Sequence, residues 1–84
     1  MATVIVNPEP IKQIERWPKN IHRRVLILLN RLENWPDVSG AKPLRGNLAG
    51  RYRMRTGDYR IRFRVEGENI TVEKIGHRKE FYEN

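Results

Sequence analysis

The sequence predicts an α+β domain in which a helical hairpin packs on one face of a small, mainly antiparallel sheet, in the order β-α-α-β-β-β. Two observations favour this fold class. Apolar residues in the first half recur at helical spacing and are interrupted by prolines. From residue 52 onward they alternate instead, with glycine-containing turns between the alternating runs. At 84 residues the chain is expected to form one domain, 1–84.

The first two elements are predicted to be a short strand and a helix. Residues 3–6 are β-branched throughout (TVIV), which favours a strand. Asn7 can then cap a helix that has Pro8 at its first position. Pro18 is expected to end this helix, since proline has no backbone N–H to continue the hydrogen-bond ladder.

A second helix is predicted to be capped by Asn20 and to run to about Asn34. Its inward stripe comprises Ile21, Val25, Leu28, Leu29 and Leu32. Five consecutive apolar residues, 25–29, exceed what a helix with one buried side needs. Two interpretations remain open. Either Trp17, Trp35 or the following loop covers the two extra side chains, or they form an exposed patch that a partner covers.

The second half is predicted to form a hairpin followed by one more strand. Gly57 and Asp58 suit a two-residue type II′ turn, which fixes the register of the flanking strands. The predicted core pairs are Tyr52 with Phe63 and Met54 with Ile61, and the predicted pairs on the other face are Arg51 with Arg64, Arg53 with Arg62 and Arg55 with Arg60. A second turn at residues 66–69 leads into the last strand, 70–75.

These six arginines, called the arginine face below, predict a site for a phosphate-bearing partner. Like charges opposite one another destabilise a sheet, and the only acids expected nearby are Asp58 and Glu73. The alternative is an ordinary solvated face, although such faces normally mix charges of both signs. Arginine stays charged and grips phosphate with two parallel donors. Arg60 and Arg78 are expected at the open surface, where truncation leaves no cavity.

Composition supports the same class of partner. The chain has 17 Lys and Arg against 10 Asp and Glu, a net charge of +7, which favours nucleic acid first, an acidic protein second and a membrane surface third. Without cysteine, and with His22 and His77 far apart, no metal site and no cofactor is expected. No apolar run approaches the roughly 18 residues of a membrane span, so a cytoplasmic protein is expected.

Two segments of the chain resemble the RelE/ParE superfamily of bacterial toxins. They are residues 42–61 (KPLRGNLAGRYRMRTGDYRI) and residues 75–82 (IGHRKEFY). The resemblance implies the β-α-α-β-β-β fold and a toxin of a type II toxin–antitoxin system, with a cognate acidic antitoxin as partner. RelE-like members cleave mRNA on the ribosome, whereas ParE-like members inhibit DNA gyrase.

The resemblance also implies a set of site residues. The catalytic set falls on Arg53, Arg55, Arg60, Arg78 and Tyr82, with His77 as a further candidate for proton transfer. Outside this set, the basic surface itself predicts additional nucleic-acid contacts by Arg51, Arg62, Arg64 and Arg45. The two positions on the strand leading into the hairpin are often lysine in ribosome-dependent members. Arginine there cannot act as a base.

The activity that this set implies is metal-independent cleavage of mRNA, expected in the ribosomal A site. The RNA's own 2′-hydroxyl attacks the phosphorus and leaves a cyclic phosphate, which requires a base, cations around the phosphorane and an acid for the leaving oxygen. Two alternatives remain: a gyrase inhibitor without nuclease activity, and a degenerate member that only binds an antitoxin.

Overall fold

The computed structural model describes residues 2–81 and contains one five-stranded sheet in the order β1-β5-β4-β3-β2. The strands are β1 (Thr3–Val6), β2 (Lys42–Pro43), β3 (Arg51–Thr56), β4 (Tyr59–Glu66) and β5 (Asn69–His77). Only β1 and β5 pair in parallel, and the other pairs are antiparallel. The predicted α+β class and mainly antiparallel sheet are therefore confirmed. The two-residue strand β2 was not predicted.

The helices α1 (Pro8–Ile14) and α2 (Lys19–Arg31) form the predicted hairpin, and a 3-10 turn (Leu32–Asn34) continues α2. Asn7 precedes α1 with extended backbone, as predicted, although its side chain makes no capping hydrogen bond. The predicted cap of α2 at Asn20 is wrong. Pro18 holds that position, and its carbonyl oxygen accepts the N–H groups of Ile21 and His22, both at 3.0 Å.

The core lies between the two helices, α1 and α2, and the helix-facing side of the sheet. Its fully buried side chains are Phe63, Leu32, Ile61, Ile70, Ile75, Val25, Val72 and Pro10. Trp35 closes one end, with its ring 4.8 Å from that of Tyr52 and 5.4 Å from that of Phe63. Trp17 instead packs on Tyr59, at 4.7 Å.

Neither tryptophan covers the outer side of α2, so the first of the two interpretations is wrong in the described structure. Leu26 is 43% exposed and Ile27 is 57% exposed, so the pair forms an apolar patch at the surface. Within residues 2–81, no helix is long and apolar enough to cross a membrane.

The hairpin has the predicted register in every pair. Arg51 lies opposite Arg64, Arg53 opposite Arg62, and Arg55 opposite Arg60, while Tyr52 faces Phe63 and Met54 faces Ile61. Gly57 has a φ of 59° and Asp58 has a negative φ, as a type II′ turn requires. A left-handed φ at the first turn position is the reason that glycine stands there.

A β-bulge interrupts the pairing of β4 with β5. Arg62 lies opposite Lys74, but the next residue, Phe63, lies opposite Val72, so Glu73 is the extra residue. The bulge lets both Val72 and Ile75 face the core, and it directs the carboxylate of Glu73 toward the arginine face. This strand begins at Asn69 and ends at His77, longer than the predicted 70–75.

Candidate anion-binding site on the arginine face

A pocket of about 390 Å³ lies beside the central part of β3 and gathers cationic side chains from four segments. Three of them, Arg53, Arg55 and Arg60, belong to the predicted catalytic set and are called the pocket arginines below. The other lining residues are Arg31, Lys42, Ser39, Gly40 and Met54. None of these described lining residues is a carboxylate. A ligand entering the pocket therefore meets five basic side chains, an arrangement that favours an anion.

Arg31 and Lys42 are pocket residues that the sequence did not reveal. Arg31 lies at the end of α2, and its Nη2 donates to the carbonyl oxygen of Ser39 at 3.0 Å and to its hydroxyl oxygen at 3.1 Å. These bonds tie the loop that carries Ser39 to the end of α2. Lys42 lies directly opposite Arg53 in the short β2–β3 ladder. No spacing rule in the sequence relates these positions, because an irregular loop separates them.

Arg60 is buried, with 9% of its surface exposed, and this corrects the expectation that it lies at an open surface. Its Nη1 donates to the carbonyl oxygens of Gly57, at 2.9 Å, and of Tyr59, at 3.3 Å. The residue opposite Arg60 on β5 is Gly76, which has no side chain to occupy the neighbouring space. The guanidinium of Arg60 is therefore held in place by two backbone carbonyl oxygens of the hairpin turn.

The remaining arginines of the face surround Glu73, and we call this group the Glu73 cluster. Arg51 donates to both carboxylate oxygens of Glu73, at 2.7 and 3.4 Å. Arg62 Nε lies 3.7 Å and Arg64 Nη1 3.6 Å from that carboxylate. The hydrogen bond to Glu73, and then its charge, raise the pKa of Arg51 above its ordinary value. The expected cost of facing arginines is thus offset by one carboxylate.

Glu66 is a second acid near the cluster that the sequence analysis did not count. Its Oε1 lies 2.7 Å from Arg64 Nε, at the exposed end of β4, where 67% of the Glu66 side chain is accessible. An ion pair this exposed contributes little, since water and salt screen it. Glu73, with 15% of its side chain exposed, is the stronger counter-ion.

His77 lies on the helix-facing side of the sheet, away from the pocket arginines. Its ring meets the ring of Tyr59 edge-on at 5.3 Å, and Tyr59 in turn contacts Trp17. His77 Nδ1 accepts the backbone N–H of Lys79 at 3.2 Å. The structure does not bring His77 together with the pocket arginines.

Arg78 begins a short helix, α3 (Arg78–Phe81), that follows β5. Its backbone N–H donates to the carbonyl oxygen of Asp58 at 2.7 Å, and its Nε lies 3.8 Å from Asp58 Oδ1. Arg78 and Arg60 thus contact the same hairpin turn. Arg78 is 57% exposed at its side chain, as predicted. Tyr82 lies outside the described residues.

Arg45 is exposed on the segment after β2 and is not among the described residues that line the pocket. Across residues 2–81, no three His, Asp or Glu side chains lie close enough together to hold a metal ion. The described lining of the pocket offers cationic hydrogen-bond donors.

Comparison with known proteins identifies the family. Residues 4–82 match the family described as ParE toxin of type II toxin–antitoxin system, parDE. Toxin RelE3 of Methanocaldococcus jannaschii is 28% identical over 76 residues, which cover 87% of this chain and 86% of that protein. Toxin RelG of Mycobacterium tuberculosis is 42% identical over 43 residues, about half of each chain.

Solved structures share the fold. A chain of the RelBE2 toxin–antitoxin complex from Mycobacterium tuberculosis superposes with a TM-score of 0.77 at 23% identity, covering 90% of this chain and 96% of that one. A chain of the RelB–RelE complex from Methanococcus jannaschii gives 0.76 at 24% identity, covering 94% and 95%. The chain belongs to the RelE/ParE superfamily, the toxins of type II toxin–antitoxin systems.

Proposed function

We propose that this toxin is a metal-independent endoribonuclease that cleaves mRNA, and that it acts in the ribosomal A site. The observation that carries the proposal is the pocket, in which the pocket arginines meet Arg31 and Lys42 without a carboxylate among the described lining residues. Such a pocket suits the pentavalent phosphorane, which carries more negative charge than the phosphate of bound RNA. Differential stabilisation of that state is what accelerates a reaction.

Each of the pocket arginines is assigned a different role, because their surroundings differ. Arg60 is fixed by two carbonyl oxygens, so its guanidinium needs no reorganisation when charge develops on the phosphorane. Arg55 is exposed and reaches the substrate side of the pocket. Arg53 lies beside Lys42, and together they hold the phosphate that follows or precedes the cut.

The proton transfers are assigned to residues near the C-terminal end of the chain. Arg78 contacts the same turn as Arg60, which supports a role in stabilising the phosphorane and the leaving 5′-oxygen. Tyr82 follows four residues later in the chain and is our candidate for the group that moves the 2′-hydroxyl proton or stacks on a base. His77 remains a weaker candidate because Tyr59 holds its ring on the other side of the sheet.

We further propose that an acidic antitoxin neutralises the protein. Several relatives of known structure, including RelB–RelE and YoeB–YefM, are toxin–antitoxin complexes. The exposed pair Leu26 and Ile27 offers a docking surface for such a partner. Helix α2 carries Lys19, Arg23, Arg24 and Arg31 but no Asp or Glu, so an acidic segment with apolar side chains complements it. The expected location is the cytoplasm, where mRNA and ribosomes are found.

The nuclease proposal is tested by brief induction in cells, followed by mapping of mRNA 5′ ends. New 5′ ends within translated codons are expected within minutes, and the Arg55→Gln variant should produce few of them at equal protein level. A growth arrest without new 5′ ends would contradict the proposal.

The docking surface is tested separately by Leu26→Asp. This variant should leave cleavage intact while abolishing neutralisation by the neighbouring antitoxin, because Leu26 lies outside the pocket.

The second candidate is inhibition of DNA gyrase, because the matching family is described as ParE toxin. It is tested by supercoiling of a relaxed plasmid by purified gyrase in the presence of the protein. The nuclease proposal expects supercoiling to proceed at its normal rate. Inhibition at a protein concentration comparable to that of gyrase, with intact mRNA, would favour the second candidate.

A further inference from the structure

The Glu73 carboxylate occupies the place among three guanidinium groups that a phosphate would otherwise take. It accepts a two-point contact from Arg51 and lies within 4 Å of Arg62 and Arg64. Carboxylate and phosphate both present paired oxygens to the planar fork of arginine, so the same donors recognise either group. In the described structure, the Nε atom of Arg62 is buried without a hydrogen-bond partner, so its donor capacity is not used up.

The position of Glu73 follows from the β-bulge. With regular alternation, Val72 and residue 74 would share the core side of β5, and residue 73 would be the lone outward side chain. The bulge instead turns both Glu73 and Lys74 outward and lets Ile75 return to the core. Glu73 is thereby half enclosed by the cluster, with 15% of its side chain exposed. In such surroundings its charge acts on the arginines with less screening than a surface carboxylate would.

We propose that Glu73 is a built-in competitor for phosphate: it orders Arg51, Arg62 and Arg64 and lowers their affinity for a nucleic-acid backbone. A strand then binds firmly only where it also enters the pocket. The inference depends on the proposed function only in that the arginine face binds RNA, and it does not require cleavage.

The spacing of the arginine rows explains why competition by Glu73 would matter for substrate binding. Successive rows of facing arginines lie two residues apart along the strands, about 7 Å from row to row. That spacing matches consecutive phosphates of one extended strand, so the face alone would accept any polyanion. Glu73 makes its shortest contact with Arg51, in the row of facing arginines farthest from the hairpin turn. Contacts in the pocket, rather than contacts along the whole face, then decide which strand is bound.

The test measures binding of a short single-stranded DNA oligonucleotide, which lacks the 2′-hydroxyl and cannot be cut. Glu73→Gln is expected to bind about fivefold more tightly at about 0.1 M salt for each contact released, with a log–log salt slope steeper by about 0.7 per contact. The matched control is Glu66→Gln, which changes the net charge equally. It is expected to change affinity less than about twofold, because Glu66 is exposed.

A second comparison is needed in case Glu73→Gln alone misfolds. The double variant Glu73→Gln with Arg51→Gln keeps the net charge of the wild type and removes both members of the closest pair. It is expected to bind the oligonucleotide several-fold more tightly than Arg51→Gln alone, because Arg62 and Arg64 are released. Weaker binding than Arg51→Gln alone would overturn the proposal and show that Glu73 only orders the cluster.

Two further outcomes separate this inference from the nuclease proposal. Equal effects of Glu73→Gln and Glu66→Gln would overturn the competitor role and show a response to net charge alone, even if the wild type cuts mRNA. Conversely, tighter binding by Glu73→Gln alone, in a protein that leaves mRNA intact, would support the competitor role and overturn the nuclease.

Discussion

The pocket arginines and the arginines of the Glu73 cluster lie on the same side of the same hairpin, yet the charges of their neighbours differ. The pocket arginines meet further cations, contributed by the end of α2 and by β2. The arginines of the cluster meet a carboxylate delivered by a bulge in β5. What distinguishes the two groups of arginines is therefore the neighbouring segment rather than the strand that carries them.

The largest expected effect is that of Arg60→Ala. Loss of a fixed donor at the phosphorane should lower single-turnover cleavage by about 10²–10³-fold. Loss of the hydrogen bonds to the carbonyl oxygens of Gly57 and Tyr59 should also lower the free energy of unfolding, by about 1–3 kcal/mol. Cleavage on programmed ribosomes and urea denaturation measure the two effects. Arg78→Ala is the control, since its exposed side chain should affect cleavage without affecting stability. Unchanged stability of Arg60→Ala would contradict the role of the turn contacts.

Arg55→Gln and Arg64→Gln compare the two groups directly. Arg55 is exposed within the pocket, so its loss is expected to slow turnover by about tenfold to a hundredfold, less than Arg60 because solvent screens it. Arg64 should change turnover less than about twofold. Single-turnover rates at saturating substrate separate turnover from binding. Equal losses in both variants would mean that the face works as one uniform platform.

Two turns at opposite ends of β4 sharpen the same comparison. Gly57 and Gly67 both have a φ of 59°, so Gly57→Ala and Gly67→Ala should each lower the free energy of unfolding by about 1–2 kcal/mol. Only Gly57→Ala should also impair cleavage, because Arg60 bonds to the carbonyl oxygen of that residue. The measurements are thermal denaturation and cleavage below the transition. An equal loss of activity in Gly67→Ala would break the link between the first turn and the site.

The smallest expected effect is that of Arg62→Gln on binding. Removing one phosphate contact should make the log–log salt slope of RNA binding shallower by about 0.7, with cleavage of bound RNA unchanged. Affinity measured over a salt series gives the slope. The value should be smaller still if Glu73 already holds Arg62 away from the strand. A change in turnover larger than the change in binding would place Arg62 with the pocket arginines.

The sequence predicted the hairpin register fully, because a two-residue turn at Gly57 and Asp58 and strict alternation allow one pairing only. Alternation predicts which side of the sheet a side chain lies on but not how far it is buried, so the burial of Arg60 could not be predicted from it. The bulge at Glu73 could have been read from apolar residues at 70, 72 and 75, with two charged residues between the last two. The cap of α2 at Pro18 could not be predicted from capping preferences, because these rest on side-chain oxygens and proline has none.

The pocket itself could not be predicted from the sequence. Arg31, Ser39 and Lys42 reach the pocket arginines through a loop without periodicity, and tertiary packing alone decides where that loop lies. The family resemblance supplied Arg53, Arg55 and Arg60 as a set, and the structure brings these together. It does not bring His77 to them.

The parallel pairing of β1 with β5 also determines when this protein can become complete during its synthesis. Residues 3–6 lie alongside residues 69–72, so the first strand made has no partner until the last one has left the ribosome. Strand β5 is also central to the sheet, between β1 and β4. A growing chain thus carries its hairpin without the strand that supplies Glu73, Gly76 and Ile75. Each copy should therefore complete its sheet only after β5 has emerged from the ribosome.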